Sequence, residues 1–484
     1  MTSSPSSSEK PVIVWLRQDL RLGDNPALMA AADDGAPLIA VYVLDDESPG
    51  KWKRGGASRW WLHKSLESLS ADLARLGVTL IFRRGSADIV IGQLAGETGA
   101  QAVYWNRCYE PYARERDARL KDALKEAGVE AHSFNGSLLA EPWTLKTKDG
   151  GPFRVFSPLY RALEPTLDNV EPLPAPERLT GFEGDLASDA LEGWKLLPTA
   201  PDWAAGFGDM WTPGEAGAHA RLDAFVKDRA ADYADTRNLP GLPGTSGLSP
   251  HLHFGEVSPR QVWARVAAEV PAGKGRETFC KELGWREFSY HLLYHYEDLP
   301  EANYQPKFNR FPWDFDAAAF RAWTRGQTGY PIVDAGMREL WSTGWMHNRV
   351  RMICASFLTK HLLIDWRKGE EWFWDTLVDA DLANNSASWQ WVAGSGADAA
   401  PYFRIFNPVT QGEKFDAAGD YVRRWVPELK YLPDAWLHAP WDAPAAALRQ
   451  AGIVLGSTYP KPVIDHSKAR ERALAAFSSL KEAA

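Results

Sequence analysis

The chain has few cysteines, no long apolar run and no surplus of basic residues. Its 484 residues include three cysteines, Cys108, Cys280 and Cys354, whose spacing suits neither a disulfide framework nor a zinc site. No run of about 18 apolar residues occurs, which argues against a membrane-spanning helix. The Ser-rich start, residues 1–10, is typical of a disordered tail rather than a signal peptide. These absences predict a protein of the reducing cytoplasm.

The charge balance limits how this protein would meet nucleic acid. A net charge of −9 argues against nonspecific wrapping of a polyanion, but it leaves room for a local basic groove. The 23 tryptophans are unusual for this length, and they suit core packing, stacking surfaces or electron relays. Composition alone therefore excludes little about function, and the motifs must decide it.

The pattern of the chain changes twice, which predicts two domains and a connector. Short β-rich runs alternate with helical patterns over residues 10–140, and this predicts an α/β domain with a parallel, Rossmann-like sheet. The runs are Pro11–Leu16, Pro37–Asp45, Thr79–Gly85, Ala102–Tyr109 and Glu130–Asn135. A Pro-, Gly- and Asp-rich connector follows at 141–215. Helical periodicity then predicts an all-α domain over residues 216–484.

Charged and amide residues interrupt the tryptophan-rich second domain. The apolar runs Cys354–Trp366 and Glu371–Leu382 predict buried helices, yet polar residues occur within or beside them: Arg349, Arg351, Asp379, Asp381, Asn384 and Asn385. A buried charge must be paired or must hold a ligand, because an unpaired one is costly. The pattern leaves two interpretations open, a structural ion-pair network and a site for a polar heterocycle.

The segment Gly244–Pro250 has the features of an anion site. Ser249 suits a helix N-cap and Pro250 the first helical position, and the hydroxyls and free N–H groups at such a start bind anions. A simple capped loop is the alternative. His251 and His253 lack further convergent ligands, so no metal site is expected.

Four runs, in this order, resemble the flavin-binding region of the DNA photolyase/cryptochrome family: WMHNRVRMICASFL from Trp345, DADLANN from Asp379, WQW from Trp389 and APYFRIFNP from Ala400. These motifs most resemble those of bacterial class I and class III enzymes that repair cyclobutane pyrimidine dimers. The resemblance implies that light-excited, reduced FAD donates an electron to a dimer flipped out of UV-damaged DNA. We therefore expect FAD, a DNA substrate and no protein partner.

The resemblance also assigns roles by position. FAD would be held by Tyr233, Thr245, Ser246, Gly247, Leu248, Ser249, Phe279, Asn348, Arg351, Asp379, Ala380, Asp381 and Asn385, the last facing flavin N5. The lesion and its flanking phosphates would contact Arg237, Glu282, Trp285, Arg286, Asn348, Arg349, Met352, Trp391, Arg404 and Lys414. Glu282 would hydrogen-bond a thymine carbonyl, and Trp285 would stack on the lesion. Trp389, Trp366 and Trp313 would relay electrons from the surface to the flavin. For each tryptophan core packing is the alternative, and for each basic residue a solvated surface charge.

The α/β domain of this family usually carries an antenna pigment. Arg17 and Glu110 follow the first and fourth strands, where ligands of parallel sheets bind. We expect 5,10-methenyltetrahydrofolate with Glu110 as a contact, and 8-hydroxy-5-deazaflavin is the alternative.

Two positions separate the members of the family. Enzymes for (6-4) photoproducts carry histidines where this chain has Asn348 and Met352, and plant cryptochromes carry Asp where Asn385 stands. The sequence thus predicts a monomeric dimer-repair enzyme. A cryptochrome photoreceptor without repair and a (6-4) photolyase are the alternatives.

Overall fold

The computed structural model describes residues 10–399 and 403–482, and it opens with a five-stranded parallel sheet. The strands are β1 Val12–Leu16, β2 Leu38–Leu44, β3 Leu80–Arg84, β4 Ala102–Asn106 and β5 Glu130–Phe134. Their order is β3-β2-β1-β4-β5, so the strand order reverses between β1 and β4. The expected α/β domain is confirmed, and the reversal marks the edge where such sheets hold ligands.

Helices cover both faces of the sheet because both faces are apolar. Successive side chains of β1 point to opposite faces, and all five are buried. Val12, Val14 and Leu16 belong to an apolar cluster shared with α1 (Pro26–Asp34) and α2 (Gly56–Arg75). Ile13 and Trp15 belong to a second cluster, shared with α3 (Ala87–Thr98) and α4 (Pro111–Glu126).

The connector after β5 contains little regular structure. Its helices are α5 Phe156–Leu163 and α6 Phe207–Met210, with 3₁₀ turns at Glu164–Leu167 and Leu191–Trp194. Gly181 forms an isolated bridge with Leu38 at the start of β2. Trp194 is buried in the cluster on one face of the sheet. The connector is thus packed across the first domain.

The remainder is helical, as expected. Its helices up to residue 393 are α7 Glu215–Asp228, α8 Tyr233–Thr236, α9 Ser249–Phe254, α10 Pro259–Glu269, α11 Lys274–His295, α12 Ala317–Thr324, α13 Pro331–Thr343, α14 Asn348–Ser356, α15 Trp366–Thr376 and α16 Leu382–Ala393. The helices after these are α17 Pro408–Phe415, α18 Asp420–Trp425, α19 Asp434–Leu437, α20 Ala445–Gln450 and α21 His466–Glu482. Short 3₁₀ turns of this domain lie at Pro306–Arg310, Pro427–Leu429 and Pro440–Asp442, and one in the first domain lies at Gly50–Trp52.

Two helices expected to be continuous are broken, so those expectations were wrong. Over Cys354–Trp366 the chain passes from α14 through a π-helical turn, Phe357–His361, to the start of α15. Over Glu371–Leu382, α15 ends at Thr376 and α16 begins at Leu382. The Asp381 carboxylate accepts from Asn384 N at 2.8 Å, and this local bond competes with helix continuation.

Two structural features are absent from the described part of the chain. No helix there is long and apolar enough to cross a bilayer. No group of three or more His, Cys, Asp or Glu side chains there is arranged to hold a metal ion. Residues 1–9 of the expected tail over residues 1–10, and the start of the APYFRIFNP run, residues 400–402, lie outside the described residues.

Candidate functional site

A half-buried ion pair ties α14 to the segment between α15 and α16. Arg351 donates to both oxygens of Asp379, at 2.8 and 3.1 Å, and to the carbonyl of Met346 at 2.7 Å. The Ser249 hydroxyl donates to Asp379 Oδ2 at 2.6 Å. Ser249 was expected to cap α9, but it is the first helical residue and makes no capping bond. The N-cap prediction is therefore wrong, and the hydroxyl instead joins the loop before α9 to the ion pair.

The loop Thr245–Ser249 lies beside two arginines that were not predicted from the sequence. Arg229 donates to the carbonyl of Thr245 at 3.3 Å. A Cβ at Gly247 would lie 2.6 Å from Arg221 Nη1, and the φ of +64° also favours glycine there. Burial lowers the pKa of Arg221, and the positive charge of Arg229 lowers it further. Two like charges beside a loop of hydroxyls and amides make a site suited to an anion such as a pyrophosphate.

Arg221 and Arg229 could have been found from their spacing. They are eight residues apart along α7 and its C-cap, which places them on one helix face. The predicted contacts Tyr233 and Phe279 lie nearby, with their rings 5.3 Å apart and edge-on. Leu248 and Ala380 are buried, whereas Asn348 is exposed at the first position of α14.

Asp381 is the centre of a second buried network. It accepts from Asn384 Nδ2 at 2.8 Å and from the Tyr290 hydroxyl, and His253 Nδ1 lies 3.5 Å away. Burial raises the pKa of Asp381, but His253, Arg286 and the tyrosine hydroxyl outweigh that effect and lower it to about 2. The carboxylate therefore stays charged. One turn into α16, Asn385 donates to the carbonyl of Glu370 at 3.1 Å.

The charged residues of α11 do not pair at the helical spacing of four residues. Glu282 and Arg286, four residues apart, do not pair with each other: Glu282 pairs with Arg237, and Arg286 with Glu287 at 3.0 Å. The pKa of Arg286 is raised by Tyr290, Glu287 and Asp381, against the effect of its own burial. Arg286 is thus held in the buried network, and this geometry favours a structural role over the predicted DNA contact.

Trp285 is already stacked on one face. Its ring lies 3.8 Å from that of Phe156 in α5, at an interplanar angle of 8°. Only its other face and edge are left for a lesion, and the side chain is half-buried. Glu282, one turn before it, has a pKa that burial raises and that the charge and hydrogen bond of Arg237 lower only in part.

Four predicted DNA-binding residues form one basic cluster. Arg349 donates to Asn238 Oδ1 at 2.8 Å and lies over the Phe415 ring at 4.6 Å, and Lys414 lies over the same ring at 5.1 Å. Burial lowers the pKa of Arg349, and the charges of Arg237 and Arg404 lower it further. Mutual repulsion of this kind is relieved by a polyanion.

The three predicted relay tryptophans share one apolar cluster at different depths. Trp366 and Trp389 are buried in it, whereas Trp313 is only partly buried against it. A Cβ at Gly369, one turn after Trp366, would lie 2.1 Å from the Trp389 ring. Trp366 also donates to Asn303 Oδ1 at 3.0 Å. The cluster leads from the core to the surface, and the relay itself stays a prediction.

A small cleft lies beyond the carboxyl ends of the strands, as expected. Its volume is about 70 Å³, and Arg17, Glu110, Tyr112 and, from the helical domain, His253 line it. Gln18 donates to Glu110 Oε1 at 2.9 Å, while the buried Oε2 has no hydrogen-bond partner among the described residues. Arg17 is committed to Asp117 at 2.9 Å. Glu110 is therefore the acceptor available to a ligand.

The fold and the site together define a class of protein. An α/β domain precedes a helical domain in which an anion loop, a half-buried Arg–Asp pair and a basic cluster occur together. Such a helical domain is built to hold an anionic heterocyclic cofactor. The donor set fits FAD, because Arg221 and Arg229 flank the loop expected to hold its pyrophosphate.

Comparison with known proteins identifies the family. Residues 12–177 match the family described as DNA photolyase, and residues 279–479 match the FAD binding domain of DNA photolyase. A deoxyribodipyrimidine photo-lyase from Agrobacterium fabrum is 54% identical, over 98% of both chains. Cryptochrome-1 from Arabidopsis thaliana is 40% identical, over 97% of this chain and 70% of the plant protein. The chain belongs to the DNA photolyase/cryptochrome family.

Solved structures agree with the fold. The crystal structure of a bacterial class III photolyase from Agrobacterium tumefaciens superposes with a TM-score of 0.95 at 53% identity, covering 99% of this chain and 100% of that one. An archaeal photolyase from Sulfolobus tokodaii, described with two FAD molecules, gives a TM-score of 0.81 at 29% identity, covering 97% and 100%. The helical domain of this chain is an FAD-binding domain.

Proposed function

We propose that this protein is a deoxyribodipyrimidine photolyase, which repairs cyclobutane pyrimidine dimers in DNA with the energy of light. Reduced FAD supplies the chemistry, a single electron that passes to the dimer on excitation and returns after the dimer has opened. The residues of the chain bind and orient the cofactor and the lesion. The similarity to the Agrobacterium enzyme over the whole chain supports this proposal.

The observation that carries the proposal is the basic cluster beside α14. Burial lowers the pKa of Arg349, and Arg237 and Arg404 lie close enough for their charges to lower it further. Asn348 and Met352 stand one turn apart on the same helix, in place of the histidines of (6-4) enzymes. The arginines would contact phosphates beside the lesion, which positions the DNA without reading its sequence. Lys414 and Trp391 are further candidates for contact.

Cofactor binding would use the two networks described above. Arg221, Arg229 and the loop Thr245–Ser249 would bind the pyrophosphate, and the Arg351–Asp379 pair would lie beside the flavin ring. Asp381 stays charged because its pKa is about 2, and its carboxylate would accept a hydrogen bond from an N–H donor of the flavin ring. Asn385, whose amide is oriented by the carbonyl of Glu370, would face N5.

Glu282 would act only once the lesion arrives. In the free protein its carboxyl pairs with Arg237. If Arg237 turns to a DNA phosphate, its positive charge no longer lowers the pKa of Glu282. Burial then raises the pKa of Glu282 further. The protonated acid would then donate a hydrogen bond to a thymine carbonyl. Damage already weakens the pairing and stacking of the dimer, which lowers the cost of flipping it into the pocket.

The cleft at Glu110 would hold one end of an antenna pigment, since its volume of about 70 Å³ admits only part of such a molecule. The unpartnered, buried Oε2 of Glu110 suits an N–H donor such as those of a pterin ring. The pigment proposed is 5,10-methenyltetrahydrofolate, with 8-hydroxy-5-deazaflavin as the alternative. The absorbance of the pigment extracted from the purified protein, in the near-UV or at longer blue wavelengths, distinguishes them.

We further propose that the enzyme works as a monomer in the cytoplasm. The free, buried cysteines at 108, 280 and 354 support a reducing compartment. Sedimentation of the flavin-loaded protein tests the monomer, and its location in cells carrying a tagged chain tests the compartment.

One assay separates repair from its rivals. The purified, reduced protein is illuminated with blue light in the presence of oligothymidine that carries dimers, and recovery of thymine absorbance is followed. Recovery supports dimer repair. No recovery on any lesion would favour a cryptochrome-type photoreceptor, and recovery only on (6-4) substrate would favour that enzyme.

Variants at Glu282 test its role within this reaction. Glu282→Ala should lower the repair yield and leave FAD bound, whereas Glu282→Gln, which keeps a hydrogen-bond donor, should retain more of the yield. A yield that is unchanged in both, or loss of flavin from either, would contradict the role given to Glu282.

A further inference from the structure

A second cavity lies in the helical domain, apart from the Arg351–Asp379 pair and the Glu110 cleft. Its volume is about 210 Å³, enough for an oxyanion with several waters, since a water occupies about 30 Å³ in the liquid. Its cationic lining residues are Lys307, Lys360 and Arg404, and aromatic rings form much of the rest. Among the described residues that line it there is no carboxylate. The lining therefore suits an anion.

The buried group in this cavity is Lys360. The residue is 1% exposed, and its Nζ has no hydrogen-bond partner within the described ranges. A polar group buried without a partner costs free energy, so such a group calls for an explanation. The nearest favourable contact is with the Phe403 ring, whose centroid lies 3.4 Å from Nζ. A ring face supports an ammonium but satisfies none of its three donors directionally.

The backbone around this lysine has an unusual conformation. Lys360 lies in the π-helical turn Phe357–His361, between α14 and the non-helical residues before α15. Turns of this kind are rare and often occur at functional sites. The neighbouring elements bring further positive charge: Lys307 comes from the 3₁₀ turn Pro306–Arg310, Arg404 from the segment before α17, and Arg472 of α21 donates to the carbonyl of His361.

We propose that this cavity is a binding site for a phosphate-type oxyanion, held by Lys360 from within and by Lys307 and Arg404 from the rim. Such an anion would give the Lys360 ammonium the acceptors it lacks. Burial holds the pKa of Lys360 well below its usual value, and a bound anion would raise that pKa. Binding of the anion therefore takes up a proton and strengthens as the pH falls.

The oxyanion has two possible sources, free phosphate and a backbone phosphate of DNA. Trp391, a candidate for the lesion pocket, also lines the cavity, so a DNA strand bound at that pocket would pass close to the cavity. Binding of the anion is independent of repair, because it is measured in the dark on the flavin-loaded protein. Its failure would leave the repair assay unaffected.

The test is calorimetric titration of inorganic phosphate into the flavin-loaded protein at pH 8, in two buffers of different ionisation enthalpy. We expect saturable binding with uptake of a proton. Lys360→Met should abolish the proton uptake and weaken binding about tenfold, as expected for loss of a hydrogen bond from a charged group. Lys307→Met, at an exposed position, should weaken binding but keep the uptake. Lys368→Met, an exposed lysine paired with Glu371 at 3.0 Å, is the matched control and should change neither.

The outcomes decide the proposal even where a variant does not fold, since the wild-type protein in two buffers already reports proton uptake. Absence of saturable binding, or equal uptake in Lys360→Met and Lys368→Met, would overturn it. An undamaged oligothymidine then assigns the source: competition with phosphate indicates a DNA phosphate, and simultaneous binding indicates a free anion.

Discussion

Replacing Asp379 with Asn tests whether the ion pair with Arg351 is essential to the helical domain. Asp379 accepts two hydrogen bonds from Arg351 and one from Ser249, and its side chain is only 3% exposed. Asn has nearly the same volume and keeps one acceptor oxygen, but it removes the charge. The substitution therefore leaves Arg351 without its counterion and frees the loop that ends at Ser249.

The cost follows from burial. Removing one partner of a fully buried pair destabilises a protein by about 3 to 5 kcal/mol. The Arg351 side chain is 24% exposed, so water screens part of its charge, and we expect about 1 to 3 kcal/mol. For a domain of this size that corresponds to a Tm about 2 to 10 °C lower. The loosened loop should also weaken FAD binding about tenfold, since 1.4 kcal/mol is a factor of ten.

The matched control is Glu428→Gln. Glu428 pairs with Arg338 at 2.8 Å, and that arginine is also 24% exposed, but its partner carboxylate is 24% exposed rather than buried. We expect a loss of less than about 1 kcal/mol there. Thermal unfolding of the flavin-free proteins and titration with FAD give both quantities. Equal destabilisation by the two substitutions, or unchanged FAD affinity in Asp379→Asn, would refute the reasoning.

Two further predictions concern pH and electron supply. Burial raises the pKa of Glu287 and of Glu339 from 4.5 to about 7, so the folded protein binds more protons than the unfolded chain between these values. The contribution of these two groups to the free energy of unfolding should be greatest below about pH 4.5, and each should lose roughly 1 to 3 kcal/mol as the pH rises through 7. Glu339→Gln should reduce this dependence of the unfolding free energy on pH, measured by urea unfolding at several pH values. An unchanged dependence in the variant would be evidence against it. Trp366→Phe should slow photoreduction of oxidised FAD at least about tenfold while repair by chemically reduced protein persists. Trp323 is equally buried beside Trp389 but lies outside the predicted relay, so Trp323→Phe should not slow photoreduction. Equal slowing in both variants would argue for a packing effect alone.

The sheet could be predicted from the sequence because its signal is local. The run Pro11–Leu16 is apolar throughout since β1 is buried on both faces, and the observed strand, Val12–Leu16, differs by one residue. The alternation of strands with helical patterns then left a parallel sheet as the simplest arrangement. The position of Glu110 beyond β4 followed from the same argument, and that residue lines the cleft.

The partners of charged residues could not be predicted, because they depend on contacts between distant segments. Glu282 and Arg286 have the spacing of an ion pair on one helix, but Glu282 pairs with Arg237, which is 45 residues earlier in the chain. Trp285 was expected to present a face to the lesion, and Phe156 of the connector covers one of its faces. Spacing along one helix says which side chains share a face, but it cannot say which other helix supplies a partner.

The broken helices show why the site itself was harder to read than the motifs that mark it. The apolar runs around Asp379 and Asp381 have helical periodicity, so periodicity predicted helix where the chain is irregular. In an unbroken helix the Asp381 carboxylate would take a solvent-facing or buried position. It would not accept a hydrogen bond from the Asn384 amide there. The break turns Asp379 towards Arg351 and lets Asp381 cap α16, and both carboxylates then reach the same region from positions two residues apart. Local patterns that conflict with a buried charge therefore mark where a helix stops, and in this chain the stop coincides with the predicted cofactor contacts.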